Sequence, residues 1–175
     1  MEAADDLPVR RSVCLGYNPR TRLRRAEVPD ASEEESRVTQ DNAAAARRLY
    51  EEVMPSGDPA AADGVFAADF LNHAAVPGSP GGIEGARAQI STLAAAFDEQ
   101  SYDIEQVVSA GDRVASYCTW NARHIGEFLG IPPTQRRFSS RQAHFLRFDP
   151  EGRVAEHWAV RDDLSMLRQM GIAPG

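Results

Sequence analysis

The feature that most constrains this chain is a change of hydrophobic period near Phe97. Beyond it, segments 102–108 and 113–121 alternate apolar and polar residues around Gly111-Asp112. Segments 139–148 and 153–160 do the same around Asp149-Pro150-Glu151-Gly152. Period-two alternation between such turns reads as two antiparallel hairpins with one covered face. Upstream the pattern is helical. Asn42 to Met54 is built mostly from strong helix formers and is stopped by Pro55-Ser56-Gly57-Asp58-Pro59. A shorter helix is expected over 59–67 and a third over 83–97, where Ile90, Leu93, Ala94 and Phe97 share a face. Asp162 is placed to cap a terminal helix carrying Leu164, Leu167 and Met170. Helices followed by a run of strands give an α+β fold, in which a curved sheet wraps helices and leaves a conical pocket.

Residues 1–39 differ from the rest. Arg10, Arg11, Arg20, Arg22, Arg24 and Arg25 precede Glu27, Asp30, Glu33, Glu34 and Glu35, with few apolar residues between. Such a segment cannot offset its own ordering entropy and is expected to be a flexible charged arm, with residues 40–175 forming the domain. Ser32, Thr39 and Asp41 each offer a helix cap near the boundary.

Across all 175 residues, 19 basic and 26 acidic side chains give a net charge of −7, which argues against a nucleic-acid binder. No apolar run is long enough to cross a membrane, and the acidic start is unlike a secretory signal. The two cysteines, Cys14 and Cys118, form no metal-type spacing and are expected to be free thiols in a cytoplasmic protein. Every basic residue among the 19 is arginine, so no phosphate loop with a following lysine exists and no nucleotide cofactor is expected. The four histidines lack His-x-His and His-x-x-x-His spacing, so no metal is expected either.

Strand parity picks out the chemistry. In the third strand one face carries Gln142, His144, Leu146 and Phe148, and the other carries Arg141, Ala143, Phe145 and Arg147. Two arginines do not belong inside, so Gln142 and His144 are expected to line the interior, where a polar pair needs partners or a ligand. His157 and Trp158 are neighbours and face oppositely. Trp158 shares parity with Val154 and Val160, which points to the core, and His157 shares parity with Ala159, which points to the pocket.

Several ordered stretches resemble the SnoaL-like polyketide cyclase family of the NTF2-like superfamily. They are Phe70-Leu71-Asn72-His73, the segment from Arg123-His124 through Pro133-Thr134 to Phe138, Gln142-Ala143-His144, Gly152 to Trp158, Asp162, and Leu167 to Gly171. The resemblance implies an NTF2-like cone and a cofactor-independent enzyme of antibiotic-type polyketide biosynthesis. Its reaction would be an aldol-type or related acid/base ring closure of a polyketide intermediate. Relatives of the same fold imply alternatives, namely a hydroxylase, hydratase or isomerase, or a non-catalytic binding scaffold. The superfamily also implies pairing through the outer sheet face, hence a homodimer or larger assembly.

Aldol closure needs a base for a carbonyl-activated C–H, donors for the enolate oxygen, and an acid for the new alkoxide. The resemblance implies a catalytic aspartate at the position of Ala159, so the carboxylate is missing here. His144 is then one candidate base, with His157 as a replacement for the carboxylate. Asp162 is another, unless it serves only as a helix cap. A third reading is that the cyclase chemistry has been lost. Asn72 and His73 are candidate substrate contacts after the second helix, with a turn-forming role as the alternative for Asn72. Gln142, Tyr117, His124 and Trp158 complete the candidate binding set.

Overall fold

The computed structural model describes residues 30–173. Most of the expected arm, residues 1–29, and Cys14 with it, lies outside them. Helix α1 (Ala31–Arg48) starts earlier than the sequence suggested, because Asp30 caps it by accepting a hydrogen bond from the Ser32 amide. Residues 31–39, expected in the arm, are therefore helical, though nearly all are exposed. The helix continues through a π-helical turn at Leu49–Val53 into a final α turn, α2 (Met54–Ser56). A π turn accommodates an extra residue, and here Leu49, Tyr50, Val53 and Met54 are all buried.

The expected helix over 59–67 is mostly absent. Only Pro59–Ala62 forms a 3₁₀ turn, capped by Asp58, and the chain then extends as β1 (Phe66–Asn72). Gly64, at φ +75°, breaks the helical path. The alanine-rich composition favours helix locally, but pairing with a distant strand and burial of Phe66, Ala67 and Phe70 override it.

Helix α3 (Gly82–Ala96) follows, then β2 (Phe97–Ala110), β3 (Arg113–His124), β4 (Arg137–Phe148), β5 (Val154–Arg161) and α4 (Asp163–Gln169). The sheet order is β1-β5-β4-β3-β2, with β1 parallel to β5 and the rest antiparallel. This is the expected mixed α+β architecture of a curved open sheet with helices. Irregularities in β1, β2 and β5 coil the sheet. The concave side of β3 presents Val114, Ser116, Cys118, Trp120, Ala122 and His124, all buried.

The irregularity in β5 matters most. Val154 pairs with Phe148 and Glu156 with Arg147, so Ala155 is an extra residue in the ladder. Val154 and Ala155 are both buried, and parity reverses after them: His157 turns inward and Trp158 outward. The expectation that Trp158 shares the inner face of Val154 fails at this bulge.

The segment after β3 is anchored where the Gly126 amide donates to the Ala96 carbonyl at 3.0 Å. A Cβ at Gly126 would lie 2.0 Å from the Ala95 carbonyl oxygen, so only glycine fits this approach. No helix among the described residues is long and apolar enough to cross a membrane.

Candidate functional site

A cavity of ≈ 470 Å³ opens between α1 with its π turn, β1, α3 and the concave sheet face. Its wall is largely apolar, with Leu49, Met54, Phe66 and Phe70 contributing. Polar groups converge on one side: Asn72 from the end of β1, Gln142 and His144 from β4, and His157 from β5. A shallower depression of ≈ 320 Å³ near Glu99, Arg137 and Gln169 has its polar groups paired with one another.

The cavity side chains form one directed hydrogen-bond chain. The Ala74 amide donates to Asn72 Oδ1 at 3.0 Å, which fixes that atom as an acceptor, and Asn72 Nδ2 donates to Gln89 Oε1 at 3.2 Å. His157 Nδ1, 2.9 Å from the same Asn72 oxygen, must therefore donate to it. A neutral His157 is then left with an accepting Nε2, which takes a hydrogen bond from His144 Nδ1 at 3.0 Å. The consequence is that His144 Nε2 carries the lone pair. Gln142 Oε1 is placed 2.9 Å from that nitrogen, and since two acceptors cannot share a hydrogen bond, the network requires the Gln142 amide turned by 180° so that its NH₂ meets the ring. A backbone amide thus sets, through two side chains, which nitrogen of His144 is basic.

Electrostatics agree with two neutral rings. Burial, with His157 and Arg161 adding to it, pushes the His144 imidazole down to about 3. Burial, followed by the charges of Arg161 and His73, pushes His157 down to about 4. Arg161 lines the cavity together with Asp163, whose carboxylate is 3.5 Å from its Nε.

Of the residues singled out from sequence, the structure gathers His144, His157, Gln142 and Asn72. It separates the others. Asp162 caps α4, accepting from the Ser165 amide at 3.0 Å, and is exposed outside the cavity. His73 and Trp158 stack on the outer face, with centroids 4.4 Å apart, and His73 Nε2 lies 2.8 Å from Glu156. Tyr117 also faces outward, opposite Ala143, because its neighbours Ser116 and Cys118 take the concave positions. His124 is fully buried against Phe97, and its Nδ1 is held by Thr134. It closes the end of the sheet and does not line the cavity.

Tyr50, Tyr102 and Arg161 are among the cavity residues that were not foreseen. For Arg161 the signal was available, since it lies two steps beyond Ala159 and four beyond His157 on one strand. Tyr50 sits in the π turn, for which the sequence has no signature. Ala159 is opposite His144 in the β4–β5 register, so a methyl stands beside the imidazole where the resemblance implies a carboxylate. Among the described residues, no three His, Cys, Asp or Glu side chains gather in a way that could hold a metal ion.

Comparison with known proteins agrees with this fold. The nogalonic acid methyl ester cyclase of Streptomyces nogalater is 32% identical over 105 residues, spanning 59% of this chain and 78% of that protein. TsrD of Streptomyces laurentii superposes with a TM-score of 0.66 at 28% identity, covering 83% of this chain and 99% of that one. IdmH of Streptomyces antibioticus, a candidate polyketide cyclase, superposes with a TM-score of 0.62 at 30% identity, covering 74% and 98% respectively. The sequence profile for the SnoaL-like polyketide cyclases matches residues 44–170, most of the described fold, and the chain belongs to that family.

Proposed function

We propose that this protein is a cofactor-independent cyclase that closes a ring of a polyketide intermediate in natural-product biosynthesis by intramolecular aldol chemistry. The observation that carries this reading is the directed chain ending at His144, which leaves the Nε2 lone pair beside Gln142 in a largely apolar cavity. The His144 imidazole removes a proton from a carbon flanked by carbonyls. The enolate carbon then attacks a second carbonyl of the same molecule, forming the C–C bond, and the resulting alkoxide takes the proton back from the imidazolium. Atoms and charge balance within the guest and one imidazole. His157 and Asn72 act as positioning residues that hold the productive tautomer, a role that the absent carboxylate at Ala159 leaves to them.

The family membership and the relative acting on nogalonic acid methyl ester support a carbonyl-rich aromatic guest. The test is turnover of that ester by the wild-type protein and by His144→Gln. The expected loss is ~10²–10⁴-fold in kcat, the range for removing a positioned acid/base. Undiminished turnover by the variant would remove His144 from the mechanism. The carboxylate missing at Ala159 removes one support for cyclase chemistry, and hydroxylation of a similar guest is the second reading, which oxygen uptake during turnover would establish instead.

We further infer a homodimer formed through the outer sheet face. Val108, Phe145 and Val160 are 65%, 46% and 70% exposed there, and Val108 and Phe145 belong to one cross-strand row with Ala115 and Trp158. Exposed apolar rows of this kind mark association surfaces.

A further inference from the structure

Two phenol hydroxyls in the cavity wall lack a hydrogen-bond partner among the described residues. Tyr50 is 4% exposed and Tyr102 8% exposed, and both line the cavity, yet neither hydroxyl makes a hydrogen bond among the described residues. Buried hydroxyls are normally satisfied, so each unpaired one calls for a reason. Trp120 Nε1 and Ser116 Oγ are also unpaired, but those atoms are sealed within the protein, whereas the two phenol oxygens are not. Both residues line the cavity where a guest would lie.

Their placement relative to the base is specific. The Tyr50 ring stacks on the His144 imidazole, with centroids 4.5 Å apart and planes at 30°, and Tyr102 lies 5.5 Å from Tyr50. The π turn at Leu49–Val53 is what carries Tyr50 to this position, and π turns recur at functional sites. Burial raises both phenols above their usual range, so each remains an O–H donor at neutral pH. The site also has a chemical need for such donors. A buried neutral imidazole is a weak base, and it can acidify a C–H only if the enolate oxygen is stabilised as it forms.

We infer that the Tyr50 and Tyr102 hydroxyls form the oxyanion-binding half of the site, donating to the substrate carbonyl oxygen that becomes the enolate oxygen when His144 takes the proton. This rests on the reading of His144 as the base, and it extends that reading to the substrate class. The guest must present an enolisable ketone oxygen, or a phenol of similar charge, to the π-turn side of the cavity.

The experiment uses 2-hydroxyanthraquinone, a planar phenol whose absorption moves to longer wavelength on ionisation, titrated with pH while bound to the full chain. In the wild-type protein the bound dye is expected to ionise at lower pH than the free dye. Tyr50→Phe and Tyr102→Phe should each raise that midpoint, together by about one pH unit, because each removes a hydrogen bond to the anion. Arg161 is unchanged in all three proteins, so its field cancels from the comparison. Each Phe variant keeps its ring and is expected to melt with the wild type. With the methyl ester substrate, each should lower kcat by ~10²-fold while KM stays near its wild-type value. Identical dye midpoints in wild type and variants would overturn the inference, as would failure of the wild-type cavity to bind the dye. A phenol-dependent midpoint without ester turnover would leave the oxyanion site standing and remove the cyclase reading. Turnover without a phenol-dependent midpoint would do the reverse.

Discussion

Lowering the pH from about 6.5 to about 4.5 should destabilise this protein steeply, and the cause should be His144 and His157. In the unfolded chain each imidazole takes up a proton near its ordinary value of about 6.5. In the fold, burial and the field of Arg161 hold His144 down to about 3 and His157 down to about 4. Between these limits the unfolded state binds more protons than the native state, so stability rises with pH. Their contribution is therefore complete above about 6.5 and is lost as the pH falls toward the folded values. Each group loses roughly 2 kcal/mol between these pH values, and the pair about 4–5 kcal/mol. That is comparable with the entire stability of a typical domain. The assay is urea denaturation followed by circular dichroism at several pH values, for the wild type and for His144→Gln/His157→Gln. The double variant should be less stable at neutral pH, having lost the hydrogen-bond chain, but its stability should depend far less on pH across this window. Asp98 is held below the usual carboxylate range by Arg123, Asp149 by the Arg153 backbone amide and then its guanidinium against the opposing effect of desolvation, and Glu156 by His73 and then Arg147. They add acid sensitivity at lower pH, equally in both proteins. Parallel stability curves for the two proteins would refute the reasoning, because they would mean that the imidazoles protonate as readily folded as unfolded.

Asp162→Ala should cost about 1 kcal/mol of stability by removing the α4 cap while leaving kcat at the wild-type value, measured by urea melts and ester turnover. A loss of kcat with little change in stability would restore Asp162 as a catalytic candidate. Val160→Asp, on the outer face, should convert the inferred dimer to monomers in light scattering, with secondary structure preserved. An unchanged mass would place any interface elsewhere.

The strands were legible because alternation survives along most of β2 to β5, and the helices because their caps and formers are strong. β1 was not, since Pro59 to Ala67 reads as helix until a distant strand supplies hydrogen-bond partners. The pocket residues His144, Gln142 and His157 could be read from parity, which needs only one strand at a time. Trp158 and Tyr117 could not be placed with certainty in that way. Which parity is concave depends on the register between strands, and in β5 an extra residue reverses it. His124 looked functional by resemblance, but its ring packs against Phe97 and serves the end of the sheet. The phenols escaped notice for a different reason: Tyr50 reaches the imidazole only because the helix widens for one turn.

The bulge at Ala155 has a consequence for how such a pocket can change. Because Val154 faces Phe148 and Glu156 faces Arg147, removing that one residue would make the ladder regular and leave every later pairing of β5 as it is. The inward imidazole and the cavity-lining Arg161 are set by the register beyond the bulge, and what the extra residue adds is a local bend with two consecutive buried side chains, Val154 and Ala155. Residues can thus be gained or lost at this point of the strand without moving the groups that face the guest.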